Sequence, residues 1–269
     1  MNDAPTDFAG LEQRFFGLRD GLPRRLSQVG HFVMAHADEV AFGTAAAMAQ
    51  QAGVQPSTLV RFAQAMGLDG YSSLQRLCQG RMRRRVSGYA ERLEAAGDEA
   101  GAEFLGGFLD AGQRSLELAR AAIAPESFEA ASETLARAHT IYLLAWRRAY
   151  PVAAAMSYAF GQAGIRSVEV MTAVGNHEAL AGLAAPEDAA LAISFSPYAT
   201  ETAALAQQMA GRGVPVVALT DSAFSPLAAC ASVWLTVAEA DHAGFRSLSA
   251  SMAVALALSV AVADRRRVE

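Results

Sequence analysis

The spacing of apolar residues changes character near residue 140. Upstream, apolar positions recur every three or four residues, the period of helices buried on one face; downstream, short apolar runs alternate with helical stretches. Leu22, Leu26, Val29 and Phe32, with Pro23 at the start, predict a helix over 22–40. Residues 44–66, TAAAMAQQAGVQPSTLVRFAQAM, predict a helix over 44–52, a reversal at Gly53 and a second helix over 56–66. Gly53 falls where a turn between helices favours positive φ, and Pro56 falls in a first helical turn, where its missing N–H costs nothing. Leu59, Phe62, Ala63 and Met66 form the stripe expected to be buried, with Gln55, Ser57, Thr58, Arg61 and Gln64 on the polar side. A turn and short helix follow over 67–80, a Gly-containing hinge over 97–107, and two helices over 104–122 and 125–138.

Beyond residue 140, the apolar runs 140–145, 167–171, 189–194, 214–219 and 233–237 predict strands. Helices are expected over 151–163, 176–184, 200–211, 225–231 and 247–263. Apolar strands separated by helices specify a parallel sheet covered on both faces. The expected fold class is an α-helical N-terminal helix-turn-helix domain followed by α/β, a doubly wound parallel five-stranded sheet. The expected boundaries are 1–86 for the first domain, 87–124 for a helical linker and 125–269 for the second domain. The run SLSASMAVALALSVAVA (247–263) is apolar and uncharged, yet short and rich in Ala and Ser for a membrane span, so it reads as a buried or interface helix.

Composition sharpens the division. The 269 residues, 52% of them hydrophobic, suffice for two cores. The net charge of −5 is divided unevenly: residues 1–86 carry +3 and residues 87–269 carry −8. A basic module tethered to an acidic one suits nucleic-acid binding by the first. The small polar face carrying Gln55, Ser57, Thr58 and Arg61 is what a major-groove reader of duplex DNA needs. The dense run Arg81, Arg83, Arg84 and Arg85 is expected to touch phosphates. Cys78 and Cys230 are far apart, without metal-ligand spacing, and fit a reducing cytoplasm; the start MNDAPTDFAG does not read as a signal peptide, and no cofactor motif is present.

In open parallel sheets, ligands bind beyond the carboxyl ends of the strands. Two loops are therefore singled out. After the third strand, Ser194, Ser196, Thr200 and Thr202 cluster at the start of a helix, where hydroxyls and free N–H groups can hold a phosphate. After the first strand, Arg147 and Arg148 can neutralise one.

Three stretches give the chain a resemblance to the MurR/RpiR family of bacterial transcriptional regulators. They are AGVQPSTLVRFAQAMGLDGYSSLQ (52–75), ISFSPYATETAALAQQMAGRGVPVVALTDSAFSPLA (193–228) and FRSLSASMAVALALSVAVA (245–263). The resemblance implies a C-terminal sugar isomerase (SIS) domain with a flavodoxin-like sheet, a homodimer or higher homo-oligomer, a palindromic operator and a phosphorylated sugar effector held at Ser194, Ser196 and Thr200. The chain departs from the family pattern in two loops. Pro197, Tyr198 and Ala199 follow Ser196 where the family has Ser-Gly-x-Thr, and Ala145 to Tyr150 replace a Gly-rich loop with a Ser pair. In the recognition helix, Gln55 stands where an N-cap Ser is common.

The SIS fold also hosts enzymes, so fold alone does not decide between a regulator and a sugar-phosphate isomerase. An isomerase needs a general base beside the sugar, for which His177, Glu178, Glu201, Asp241 and His242 are the candidates. These form no specific combination in sequence, so no catalytic residue is assigned. A third reading is an SIS module that has lost its ligand and serves dimerisation.

Overall fold

The computed structural model describes residues 4–18, 21–86, 89, 92–93, 101–171 and 174–268. The chain divides into two compact units, residues 1–95 and 96–269.

The first unit is helical: α1 (Phe8–Leu18), α2 (Arg24–Ala35), α3 (Ala37–Val40), α4 (Ala45–Gln51), α5 (Pro56–Ala65) and α6 (Tyr71–Val86). The expected single helix over 22–40 is two helices, because His36, at φ −119° and ψ 33°, leaves helical conformation. Its ring stacks on Phe32 and its Nδ1 lies 2.9 Å from a Glu39 carboxylate oxygen. Helix α1 escaped the sequence reading, although its signal is present: the carboxylate of Asp7 accepts the Gly10 N–H at 2.8 Å as an N-cap, and Phe8, Leu11 and Phe15 all point into the core. Phe15 meets Phe62 edge-on at 5.7 Å, and it lies flat against Gly30, where a Cβ would stand 2.1 Å from the ring.

The second unit is α7 (Gly101–Ala122), α8 (Pro125–Arg137), β1 (Ile141–Ala145), α9 (Tyr150–Gln162), β2 (Ser167–Glu169), α10 (His177–Gly182), β3 (Ala189–Ser194), α11 (Thr200–Gly211), β4 (Val216–Thr220), β5 (Val233–Thr236), a hairpin β6 (Asp241–His242) and β7 (Phe245–Arg246), and α12 (Ser249–Val268). The five-stranded sheet is parallel throughout, in the order β2-β1-β3-β4-β5. Strands β1, β3 and β4 are buried along their whole length, which is why they read as unbroken apolar runs. On one face Leu143, Leu191, Ile193 and Leu219 pack with Leu135, Met156, Phe160 and Leu258 of α8, α9 and α12; on the other, Leu144, Ala192 and Ala218 pack with Ala181, Leu205 and Met209 of α10 and α11. The sheet is doubly wound, as expected.

Two details differ from expectation. Residues 225–231 form successive turns, with Ser225 Oγ accepting the Ala228 N–H at 3.1 Å. The stretch contains Pro226 and only a short apolar run, too little to sustain a helix against local hydroxyl bonding. The predicted hinge lies outside the described residues over 97–100, and its remainder is already part of α7, an integral helix of the second unit in which Ser115 Oγ accepts the Ala240 N–H at 2.9 Å. Among the described residues, no helix is long and apolar enough to cross a membrane.

Candidate functional site

The helix pair α4–α5 is built by local rules. Thr44 caps α4, its Oγ1 accepting the Ala47 N–H at 3.2 Å. The helix closes on Gly53 at φ 63°, with Gly53 N–H to Gln50 O and Val54 N–H to Ala49 O, the bonding of a Schellman turn. Helix α2 secures that turn from outside, Gln28 Nε2 donating to Ala52 O at 2.8 Å. Gln55 occupies the N-cap of α5 without a side-chain capping bond, and Pro56 begins the helix. Leu59, Phe62, Ala63 and Met66 are buried, each large apolar side chain contributing about 1.5–3 kcal/mol. Gln55, Ser57, Arg61 and Gln64 are exposed and Thr58 is half-buried.

Helix α6 steadies the loop ahead of this pair. Tyr71 Oη and Gln75 Nε2 donate to Gly43 O at 2.8 and 3.0 Å, and Gln79 Nε2 donates to Ala41 O at 2.8 Å. Burial pushes the Tyr71 phenol up to about 12, with Cys78 adding to the shift. Sequence spacing did not single these residues out, because their partners are backbone carbonyls about 30 residues away. Arg81 lays its guanidinium 4.4 Å from the centre of the Phe8 ring. Helix α6 continues through Arg83, Arg84 and Arg85, whose side chains lie outside the described ones.

In the second unit, the carboxyl ends of β1 and β3 are neighbours at the point where strand order reverses, so their loops border one crevice. After β1, Arg147 takes the unusual φ of 55° for a residue with a Cβ. Its exposed guanidinium faces Glu201 of α11 at 3.9 Å. Arg148 instead turns inward: Nη2 donates to Ser247 O at 2.9 Å and the guanidinium lies over Phe195. Burial, followed by the charge of Arg246, lowers its pKa. Trp146 meets His177 of α10 edge-on at 5.7 Å.

After β3, Ser194 is buried and its Oγ accepts the Ala199 N–H at 3.0 Å, closing the loop into α11. The Ser196–Pro197 bond is cis. The Ser196 N–H donates to Asp221 Oδ2 at 2.8 Å, and its carbonyl accepts Arg246 Nη2 at 2.6 Å. No described residue bonds the half-buried Ser196 hydroxyl. Thr200 Oγ1 donates to Glu201 Oε2 at 3.1 Å. The bond of that carboxylate to its own backbone N–H, then the Thr200 hydroxyl, and more weakly Arg147 and His177, hold Glu201 below the usual carboxylate range. Thr202 is closed off from solvent and its hydroxyl has no partner among the described residues. These contacts bring Arg147, His177, Thr200 and Glu201 together beside the loop that carries Ser196, while Arg148, Ser194 and Thr202 are set within the walls. Among the described residues no group of acidic, His and Cys side chains could hold a metal ion.

Residues 18–81 match the helix-turn-helix domain of the rpiR family, and residues 134–262 match the SIS domain. Together the two take in more than two thirds of the sequence, in the order that family joins them. The chain belongs to the MurR/RpiR family. The sugar isomerase domain of the RpiR transcription factor from Sphaerobacter thermophilus is 26% identical, with a TM-score of 0.57 over 60% of this chain and 89% of that one. The NanR protein of Vibrio vulnificus, complexed with ManNAc-6P, has the same fold at 21% identity, with a TM-score of 0.50 over 95% of this chain and 90% of that one. The c3406 protein of E. coli CFT073, in complex with A5P, shares the fold at 20% identity, with a TM-score of 0.50 over 62% of this chain and 91% of that one. No curated protein matches the sequence.

Within the MurR/RpiR frame, the loop departures acquire a geometry. The Gly-rich loop after β1 is replaced by a short 3-10 turn, Arg147–Ala149, that carries one Arg outward and one inward. Of the five candidate bases, Asp241 and His242 belong to the β6–β7 hairpin and are engaged there. Asp241 Oδ1 accepts the Gly244 N–H at 3.1 Å, and His242 packs edge-on against Phe104 and Phe108. Glu178 is exposed on α10. Only His177 and Glu201 face the crevice, and Glu201 is occupied by Thr200 and Arg147.

Proposed function

We infer that this chain is a one-component transcription regulator whose SIS unit senses a phosphorylated sugar or related anionic metabolite and whose N-terminal unit reads duplex DNA. The observation that carries the reading is the exposed polar face of α5, set opposite a fully buried stripe, in a chain that also carries an SIS crevice. On this reading Gln55, Ser57, Thr58 and Arg61 reach base edges, and Arg81 with Arg83, Arg84 and Arg85 supplies charge toward the phosphates. In the crevice, the Ser196 hydroxyl, Thr200 and the first turn of α11 hold the anion, and Arg147 is the arginine that meets it. Arg148 and Ser194 shape the site from behind.

A two-headed reader of a palindromic site requires a dimer. The SIS unit offers the surface: Leu256 and Val260 of α12 are 60% and 61% exposed, Met252 continues their stripe, and Tyr158 of α9 is exposed at 72%. The isomerase reading is the weaker one, because two of its five candidate bases are built into the hairpin.

Selection of genomic fragments bound by the full-length protein supplies the operator. Gel-shift titration should then show Arg61→Ala losing about 1–3 kcal/mol and relaxing specificity at one base position. Unchanged affinity and base preference would refute the DNA face. Calorimetry with a panel of sugar phosphates, beginning with ManNAc-6P because a protein of the same fold holds it, should show binding that Ser196→Ala and Arg147→Ala both weaken. Equal affinity in wild type and both variants would refute the crevice. Turnover of a panel member would instead favour the isomerase.

A further inference from the structure

The loop that follows β3 is tied on both sides of one residue, Ser196, to residues far away in sequence. Asp221 accepts the Ser196 N–H and Arg246 donates to the Ser196 carbonyl, while Arg246 Nη1 stands 3.9 Å from the same Asp221 oxygen that holds the N–H. Ser196 is thus fixed by an acid–base pair rather than by its own loop. Arg246 is the last residue of the β6–β7 hairpin, which pairs Asp241 with Arg246 and His242 with Phe245 across a two-residue turn, Ala243 and Gly244 at φ 50° and 79°. That is the geometry of a type I′ hairpin, whose tight turn leaves little freedom to shift one strand without the other.

Both strands of the hairpin are seated on α7. The His242 ring sits edge-on to Phe104 and Phe108, at 6.0 and 5.7 Å, and directly over Gly107, where a Cβ would lie 2.2 Å from the imidazole. Phe245 packs against Phe108 at 6.4 Å. The strand is anchored just before β6 by Ser115 of α7, which takes the Ala240 N–H. One residue earlier, Glu239 accepts both the N–H and the hydroxyl of Ser251 in the first turn of α12, at 2.8 and 2.7 Å. Helix α7 is the element that the chain enters after the N-terminal unit.

We propose that Asp221 and Arg246 are positioning residues of the effector loop and that the β6–β7 hairpin relays the state of that loop to α7, through Arg246 at one end and His242 at the other. This rests on the reading of the crevice as the effector site. An anion drawn to Ser196 and the first turn of α11 competes with Asp221 for the Ser196 N–H and attracts Arg246; any displacement of Arg246 moves its strand partner Asp241 and the neighbouring His242. The relay is a physical connection of hydrogen bonds and ring packing with a stated start and end.

Hydrogen exchange on the full-length protein, without ligand, tests it. Arg246→Met should quicken exchange in 194–200 about fivefold and also quicken exchange in 104–115 of α7, with which Arg246 shares no hydrogen bond or ion pair among the described residues. His242→Ala should do the reverse, loosening 194–200 from a site packed against α7, and His242→Phe should restore protection by keeping a ring over Gly107. Arg212→Met, which removes bonds to the Ala181 and Gly182 carbonyls, is the control and should loosen α10 alone. Loosening confined to 194–200 in Arg246→Met, or to α7 in His242→Ala, would overturn the relay, as would a His242→Phe protein as loose as His242→Ala. A wild-type loop that no sugar phosphate protects would refute the effector site separately, since the relay is read without ligand.

Discussion

Single residues in this protein hold loops by satisfying backbone groups that secondary structure leaves open. Tyr71 is an instance: its hydroxyl ends on the Gly43 carbonyl, and its phenol is held neutral up to about pH 12. The folded pKa lies above the ordinary phenol value of 10, so the stability that Tyr71 adds is fully present below pH 10 and is lost as pH rises from 10 through about 12. Tyr71→Phe should cost about 0.5–1.5 kcal/mol at neutral pH and should lessen the alkaline loss relative to wild type. Urea melts at pH 8 and pH 11 read both effects; equal stability of the two proteins at both pH values would dismiss the bond.

At the scale of elements, close approach and helix ends decide. Helices α1 and α2 meet where Gly30 lets the Phe15 ring lie flat, so Gly30→Val should destabilise the N-terminal unit by about 1–3 kcal/mol, visible in its thermal unfolding. Helix α11 begins at the end of the loop after β3 and carries its own anion, Glu201, in the first turn. A bound phosphate and this carboxylate compete for the same helix end and for Arg147. Glu201→Gln should therefore tighten binding of any sugar phosphate that the calorimetric panel identifies, by roughly two- to fivefold. Weaker binding would mean that Glu201 contacts the ligand as a hydrogen-bond acceptor instead.

For the whole molecule, the exposed stripe of Met252, Leu256 and Val260 on α12 is the surface whose partner a second copy would supply. Leu256→Glu with Val260→Glu should convert the protein to monomer in light scattering and reduce operator affinity together with it. A wild-type protein that is monomeric at micromolar concentration would remove this proposal. If effector and DNA are coupled, the coupling is reciprocal: a tenfold loss of DNA affinity with ligand requires a tenfold loss of ligand affinity with DNA, about 1.4 kcal/mol.

The sequence by itself determined the helix pair and the sheet, because both rest on local periodicity. Gly53, Pro56 and the stripe Leu59, Phe62, Ala63 and Met66 act within a few residues of one another, and the central strands are apolar on both faces wherever helices cover them. It also singled out the loops after β1 and β3, which the strand order of the folded sheet sets side by side. Tertiary structure decided what no local pattern encodes: which of two adjacent arginines faces solvent, that Thr202 is buried, and that Asp241, His242 and Arg246 form a hairpin bridging Ser196 and α7. Those outcomes depend on pairs separated by tens to more than a hundred residues, such as Arg148 with Ser247, His242 with Gly107 and Arg246 with Ser196. The energy of such pairs arises only once the sheet has brought their elements together.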